Sequence, residues 1–195
     1  MAQQLHKGSL VTHHPRGFTL VEMMIVVVIV SILATLAVLG YRKIVQSAHV
    51  TEATSMVNNI RVAQEAYHSE TQSYANCSPD LVSASSWYPK QSVYGVVTQW
   101  GAACGAACNT NYDISVVLPV HVDGPVLFGY ATIAGAAGAG GTAITNNCNL
   151  TGLTTPATDW YAVAAEADLD GITTTHTDVC AVSWSSQITV YNEGL

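Results

Sequence analysis

The feature that most constrains this chain is an unbroken apolar segment near its beginning. From Met23 to Tyr41 there are nineteen consecutive uncharged and mostly apolar residues. At a helical rise of about 1.5 Å per residue, this length nearly matches a hydrocarbon core of about 30 Å. The segment therefore predicts a helix that can span a bilayer, with Arg42 and Lys43 directly after it.

The helical pattern continues beyond this segment but changes type. Between Ala53 and Tyr67 apolar residues recur at three- and four-residue spacing, and polar residues such as Glu65 lie largely outside this apolar stripe. We therefore predict one helix from about Phe18 to about Ser69. Its first half is apolar on all sides, and its amphipathic second half needs a sheet to cover it.

The remainder of the chain has β-type patterns. Six short runs rich in Val, Ile, Thr, Tyr and Trp are separated by turn-forming stretches, and no helical crossover lies between them, so antiparallel pairing is expected. The sequence thus predicts an α+β fold, in which an antiparallel sheet of about four to six strands packs on the distal half of the helix. The predicted strands are Val93–Trp100, Asp113–Val122, Val126–Ala134, Asp159–Ala165, His176–Trp184 and Gln187–Asn192.

Charge and cysteine content indicate an exported domain that does not have nucleic acid as its main partner. The net charge is −7, and Lys90 is the only basic residue after Arg61, so the distal part repels phosphate. All five cysteines follow the apolar segment, as in an oxidised domain. Their pairing is not readable from spacing, although we expect a bridge between the last two. The candidates for disulfides are Cys77, Cys104, Cys108, Cys148 and Cys180.

The junction before the apolar segment reads Arg-Gly-Phe-Thr-Leu-Val-Glu over residues 16–22. It resembles the prepilin cleavage site of type IV pilins and of the pseudopilins of type II secretion. The resemblance implies that a membrane peptidase cuts after Gly17 and methylates the new N-terminal residue, Phe18. A conventional secretory signal is cut after its apolar stretch. Here the cleavage motif with its Arg16 lies before the apolar segment, so cleavage would leave the apolar helix in the mature protein.

Glu22 is the acidic residue next to this cleavage site, about one helical turn from the amine that cleavage creates at Phe18. A carboxylate at mid-membrane costs about 2.5 to 3.5 kcal/mol, so it needs a partner. One alternative is that Glu22 favours its own helix N-terminus. The other, which the resemblance implies and which we expect, is that it pairs with the Phe18 amine of a neighbouring subunit and sets the register of assembly.

A second candidate site lies near the C-terminus, where Glu166, Asp168 and Asp170 occupy alternate positions before Gly171. This spacing resembles the start of a calcium loop. The twelfth position would be Thr177 rather than Glu, and the flanking runs read as strands, so a plain Asp-Gly hairpin turn is favoured. No cofactor is expected, with calcium at these carboxylates as the alternative.

The chain also lacks the sequence motifs of a catalytic centre, such as Gly-x-Ser-x-Gly or His-Glu-x-x-His, and we expect no enzymatic activity. The resemblance implies a structural subunit of a type IV pilus that supports adhesion, twitching motility or DNA uptake. Its partners would be other subunits, the prepilin peptidase and the assembly machinery of the bacterial inner membrane, and the assembled filament would be extracellular. The expected parts are a leader (1–17), a membrane-spanning and polymerisation helix (18–42), an amphipathic helix half (43–70) and a disulfide-containing head (71–195).

Two other interpretations stay open. A minor pilin or a secretion pseudopilin would share the same processing and differ in whether long fibres form. A membrane-tethered extracellular binding module would use the apolar helix only as an anchor and would remain uncut at Gly17.

Overall fold

The protein consists of one long helix, one short helix and six strands in the part that the computed structural model describes. The chain divides into two compact units, Met1–Tyr41 and Arg42–Leu195. Helix α1 (Leu20–Thr71) confirms the predicted long helix, with each end two residues later than expected. The described residues are 17–83, 86–89, 95–101, 114–139, 156–169, 171 and 175–193.

In the first unit, α1 is apolar and its residues are exposed. Its most apolar stretch has a mean hydropathy of 2.9, so by length and composition it can cross a membrane. Two hydroxyls in this stretch are bonded within the helix, because Ser31 donates to the Val27 carbonyl at 2.7 Å and Thr35 to the Ile32 carbonyl at 2.8 Å. Hydroxyls satisfied in this way can enter lipid at low cost.

The second unit contains two antiparallel sheets. Strands β1 and β2 form a two-stranded pair, and β3 to β6 form a four-stranded sheet in which every neighbour is also the next strand along the chain. This arrangement confirms the predicted α+β class with antiparallel pairing. The strands are β1 (Thr98–Gln99), β2 (Pro125–Val126), β3 (Gly129–Gly135), β4 (Trp160–Ala167), β5 (Thr177–Val182) and β6 (Thr189–Tyr191).

One face of the four-stranded sheet packs on the distal half of α1. Because side chains alternate across a strand, Tyr130, Val163 and Val179 point to the same face and share a core with the buried stripe of the helix. This is the cover that the amphipathic pattern required. The buried residues of α1 are Val50, Ala53, Met56, Val57, Ile60, Ala63 and Gln64.

The opposite face of the sheet is covered as well. Leu81 and Trp87, from the segment that follows α1, form a second cluster with sheet residues that include Trp160 and Cys180. All residues of β4 are buried. A sheet buried on both faces explains why these strands read as nearly continuous apolar runs.

The predicted strand over Asp113–Val122 is wrong, because the structure has the short helix α2 (Ile114–Val117) there. Ile114 and Leu118 are buried, whereas Val116 is 73% exposed. The Leu118 N–H donates to the Ile114 carbonyl at 3.0 Å, which closes one helical turn. In a strand Val116 would share a face with Ile114 and Leu118, whereas in a helical turn it points away from them, as its exposure shows. Burial of Ile114 and Leu118 therefore outweighs the local β preference.

Candidate processing and assembly site

Thr19 and Glu22 together cap the N-terminus of α1. The Glu22 N–H donates to the Thr19 hydroxyl oxygen at 3.2 Å. In return, the Thr19 N–H and the Thr19 hydroxyl each donate to Oε2 of Glu22 at 2.8 Å. This reciprocal arrangement is a capping box, which the spacing Thr-x-x-Glu encodes locally. Two groups at the open end of the helix are thereby satisfied without any tertiary contact.

The capping box determines which oxygen of the Glu22 carboxylate could contact a neighbouring subunit. Within the described residues both hydrogen bonds from Thr19 to the carboxylate use Oε2, so Oε1 remains accessible to a second donor. The residue is exposed and lies in the first turn, where a negative charge complements the helix dipole. The geometry thus matches the alternative in which Glu22 favours its own helix N-terminus, and the expected pairing with the Phe18 amine of a neighbouring subunit stays a prediction.

The bond that the peptidase would cut lies just outside the helix. Gly17 and Phe18 precede the cap residue Thr19, and the side chain of Phe18 is 80% exposed. A Cβ added at Gly17 would meet no atom within 4 Å. Exposed non-helical backbone is the form in which a peptide bond is open to a peptidase. Cleavage here would place the new amine directly before a capped helix.

The large side chains of the apolar part of α1 are exposed within the part of the chain that the structure describes. They are about half or more exposed, as Ile25 (55%) and Leu39 (68%) illustrate. An apolar surface of this extent normally marks a membrane or protein contact. A helix that is apolar all round requires lipid or other helices around it.

The calcium candidates are engaged in protein contacts where the structure describes them. Oε1 of Glu166 lies 2.7 Å from Nδ1 of His176, and Oδ1 of Asp168 accepts from the Gly171 N–H at 2.7 Å. Gly171 has a φ of +77°, as a tight turn requires, and β4 and β5 pair as a hairpin. Asp170 lies outside the described residues. These contacts support the hairpin turn, while calcium binding stays a prediction.

Of the cysteine candidates, the structure describes only Cys77 and Cys180, both of which are buried. Cys77 belongs to the core beneath α1, whereas Cys180 belongs to the cluster on the opposite face of the sheet. The other three lie outside the described residues.

Sequence reasoning treated Thr19 only as part of a cleavage motif and missed its role as the cap of α1. The Thr-x-x-Glu spacing immediately before an apolar run could have revealed that role, because a capping box depends only on local sequence.

The comparisons with known proteins agree with the geometry of this end of the helix. Residues 13–38 match the family described as the prokaryotic N-terminal methylation motif. No curated protein and no solved structure matches the chain significantly. The matched residues include the exposed Gly17–Phe18 bond, the capping box and most of the apolar segment. This chain therefore carries the N-terminal methylation motif that is the signature of type IV pilins and pseudopilins.

Proposed function

We propose that this protein is a structural subunit of a type IV pilus. It is made as an inner-membrane precursor, cut after Gly17, methylated at Phe18 and polymerised through the apolar part of α1 into an extracellular filament. The filament supports adhesion, twitching motility or DNA uptake. The role needs no catalytic centre and no cofactor, and its partners are other subunits, the prepilin peptidase and the inner-membrane assembly machinery.

The observation that carries this proposal is the junction itself. An exposed peptide bond lies directly ahead of a self-capped helix whose apolar part is exposed among the described residues. Cleavage there would remove the leader and retain the helix, and bundling of retained helices would bury the apolar surface that each copy exposes. In the bilayer this surface already contacts lipid, so helix association there depends on close packing and polar contacts. Outside the membrane, bundling keeps the same surface out of water, which is worth about 25 cal/mol per Å² before the entropic costs of assembly.

Processing can be tested with a variant that the fold tolerates. Because an added Cβ at Gly17 meets no atom within 4 Å, Gly17→Ala should leave α1 intact and affect only recognition by the peptidase. Gly40→Ala is the matched control, since its added Cβ also meets nothing. Mass spectrometry of membrane-derived protein should show a start at Phe18 with one added methyl group in the wild type and in Gly40→Ala, and an uncut leader in Gly17→Ala.

An uncut wild-type chain in cells that contain prepilin peptidase would favour the membrane-tethered binding module instead. Correct processing without long fibres, seen by electron microscopy of sheared cell-surface material, would favour a minor pilin or a secretion pseudopilin. These two outcomes separate the alternatives that share the motif.

The assembly role of Glu22 can be separated from its capping role. Glu22→Gln keeps an oxygen that can accept from Thr19, and glutamine is the other residue found at this position of a capping box, so the helix start should persist while the charge is lost. Thr19→Ala removes the hydroxyl of the box and keeps the charge. If the charge pairs with a neighbouring amine, Glu22→Gln should abolish fibres and Thr19→Ala should retain them. Normal fibres from Glu22→Gln would contradict the proposed pairing.

We also propose that Cys180 is oxidised in the exported head. Cys180 is buried in the cluster on the outer face of the sheet, and exported domains are the setting in which cysteines are oxidised to disulfides. Cys148 is the partner that we expect, which would tie the segment before β4 to the outer face of the sheet.

A further inference from the structure

A cleft of about 400 Å³ lies between the distal half of α1 and the chain around β2. Glu52, Ser55 and Asn59 line it from one face of the helix, at the three- and four-residue spacing that brings side chains together. Asp123 lines it from the opposite side, and its side chain is 99% exposed. Its volume falls within the range of about 300–1,000 Å³ that is typical of small-molecule sites.

The cleft borders a buried hydroxyl that has no hydrogen-bond partner among the described residues. Tyr130 of β3 is among the lining residues, its side chain is fully buried, and its hydroxyl makes no hydrogen bond to the described part of the chain. Burial, together with the negative charge of Glu52, raises the pKa of Tyr130, so the hydroxyl stays a neutral donor. A buried polar group without a partner is costly, and a ligand that supplies an oxygen acceptor would remove that cost.

The groups around the hydroxyl define the chemistry of such a ligand. Carboxylate and amide oxygens accept from hydroxyl groups, while the amide of Asn59 and the hydroxyl of Tyr130 donate to them. Val122 is half-buried and Pro125 is exposed, and both add apolar surface against which the C–H face of a sugar ring can pack.

Among the described residues the lining contains the carboxylates of Glu52 and Asp123, no Lys or Arg, and His121, whose Nε2 lies 3.5 Å from Oδ1 of Asp123. Two carboxylates against one imidazole disfavour an anionic ligand.

We propose that this cleft binds a neutral sugar unit, with Tyr130 donating to one sugar hydroxyl and Glu52 accepting from another. The Tyr130 hydroxyl is shielded from solvent, so entry of the sugar requires a rim side chain to turn aside. Glu52 can do so because its side chain is 42% exposed. The site lies wholly within the second unit and does not depend on filament assembly.

The test uses the full chain in micelles of a zwitterionic detergent without a sugar headgroup, with glucose, N-acetylglucosamine and glucuronic acid as probes. Saturation-transfer NMR and calorimetry should detect saturable millimolar binding of at least one neutral sugar and none of glucuronic acid. Tyr130→Phe keeps the ring that packs edge-on against Trp100 and removes only the hydroxyl. It should weaken binding about tenfold, as expected for one lost hydrogen bond. Glu52→Gln should also weaken binding, and Glu70→Gln, an exposed position on the same helix outside the cleft, is the matched control.

Three results would overturn the proposal. The first is that neither neutral sugar binds saturably, and the second is that Tyr130→Phe binds as tightly as the wild type. The third comes from thermal unfolding, where removal of an unpartnered hydroxyl should leave the melting temperature unchanged or raise it. A clear decrease in Tyr130→Phe would show that the hydroxyl already has a partner in the folded protein.

Discussion

Gln64 is a buried amide that attaches the chain leaving α1 to the sheet, and its replacement by Leu tests how the second unit is held together. The side chain is fully buried. Its Oε1 accepts from the Ala75 N–H at 2.9 Å, while its Nε2 donates to the Ala75 carbonyl at 2.8 Å and to the Thr132 hydroxyl oxygen at 2.9 Å. One side chain thus joins the helix, the segment after it and β3.

The expected loss of stability follows from the groups that Gln64→Leu leaves behind. Ala75 is 3% exposed, so both its N–H and its carbonyl would be buried without this partner, at about 1–3 kcal/mol each. Thr132 would lose less, because its hydroxyl still donates to the Ala162 carbonyl at 3.2 Å. Leu is similar in size to Gln and recovers part of the loss through apolar burial. We therefore expect a net loss of about 2–4 kcal/mol in the free energy of unfolding.

Thermal unfolding of the full chain in detergent, followed by tryptophan fluorescence, would measure this loss. The buried tryptophans Trp87, Trp100 and Trp160 all lie in the second unit and report on its packing. At about 2–4 °C per kcal/mol for a unit of this size, the melting temperature of Gln64→Leu should fall by roughly 5–15 °C. Asn58→Leu, an exposed site on the same helix, should change it by less than about 2 °C. A fall no larger than that of the control would refute this account of Gln64.

Three further predictions concern other parts of the second unit. Gly95→Ala should lower the melting temperature by several degrees in the same assay, because Gly95 has a φ of +69° and its added Cβ would lie 2.6 Å from the Asp168 carbonyl oxygen. Partial burial of the Asp80 carboxyl raises its pKa, but hydrogen bonds from neighbouring serines and backbone N–H groups outweigh the effect of burial. Together they lower the pKa of Asp80 from its ordinary value of 3.8 to about 2. The contribution of Asp80 to stability is therefore present above about pH 4 and is lost as the pH falls towards 2. Urea titrations should show that the free energy of unfolding falls less between about pH 4 and pH 2 for Asp80→Asn than for the wild type. Non-reducing peptide mapping should recover Cys180 joined to Cys148, and a peptide that joins Cys180 to another cysteine would contradict that pairing.

Much of the fold could be predicted because its signals are local. The length of the apolar segment and the stripe after it predicted α1 to within two residues at each end. The apolar runs around β3 to β6 predicted antiparallel pairing, because no helical crossover separates them, and the structure adds that neighbours in the sheet are consecutive along the chain. The prediction for Asp113–Val122 failed, since this run forms a helical turn that buries Ile114 and Leu118 in the core and leaves Val116 exposed.

What the sequence alone determined is the N-terminal end of the protein. The leader junction, the capping box of Thr19 and Glu22 and the apolar helix depend on residues within a few positions of one another, so they can be read without knowing the fold. The tertiary structure decided the role of Gln64 and the position of the Tyr130 hydroxyl beside a cleft. Their neighbours in space are far apart along the chain, and only packing of the sheet against α1 brings those groups within hydrogen-bonding distance or leaves them without a partner.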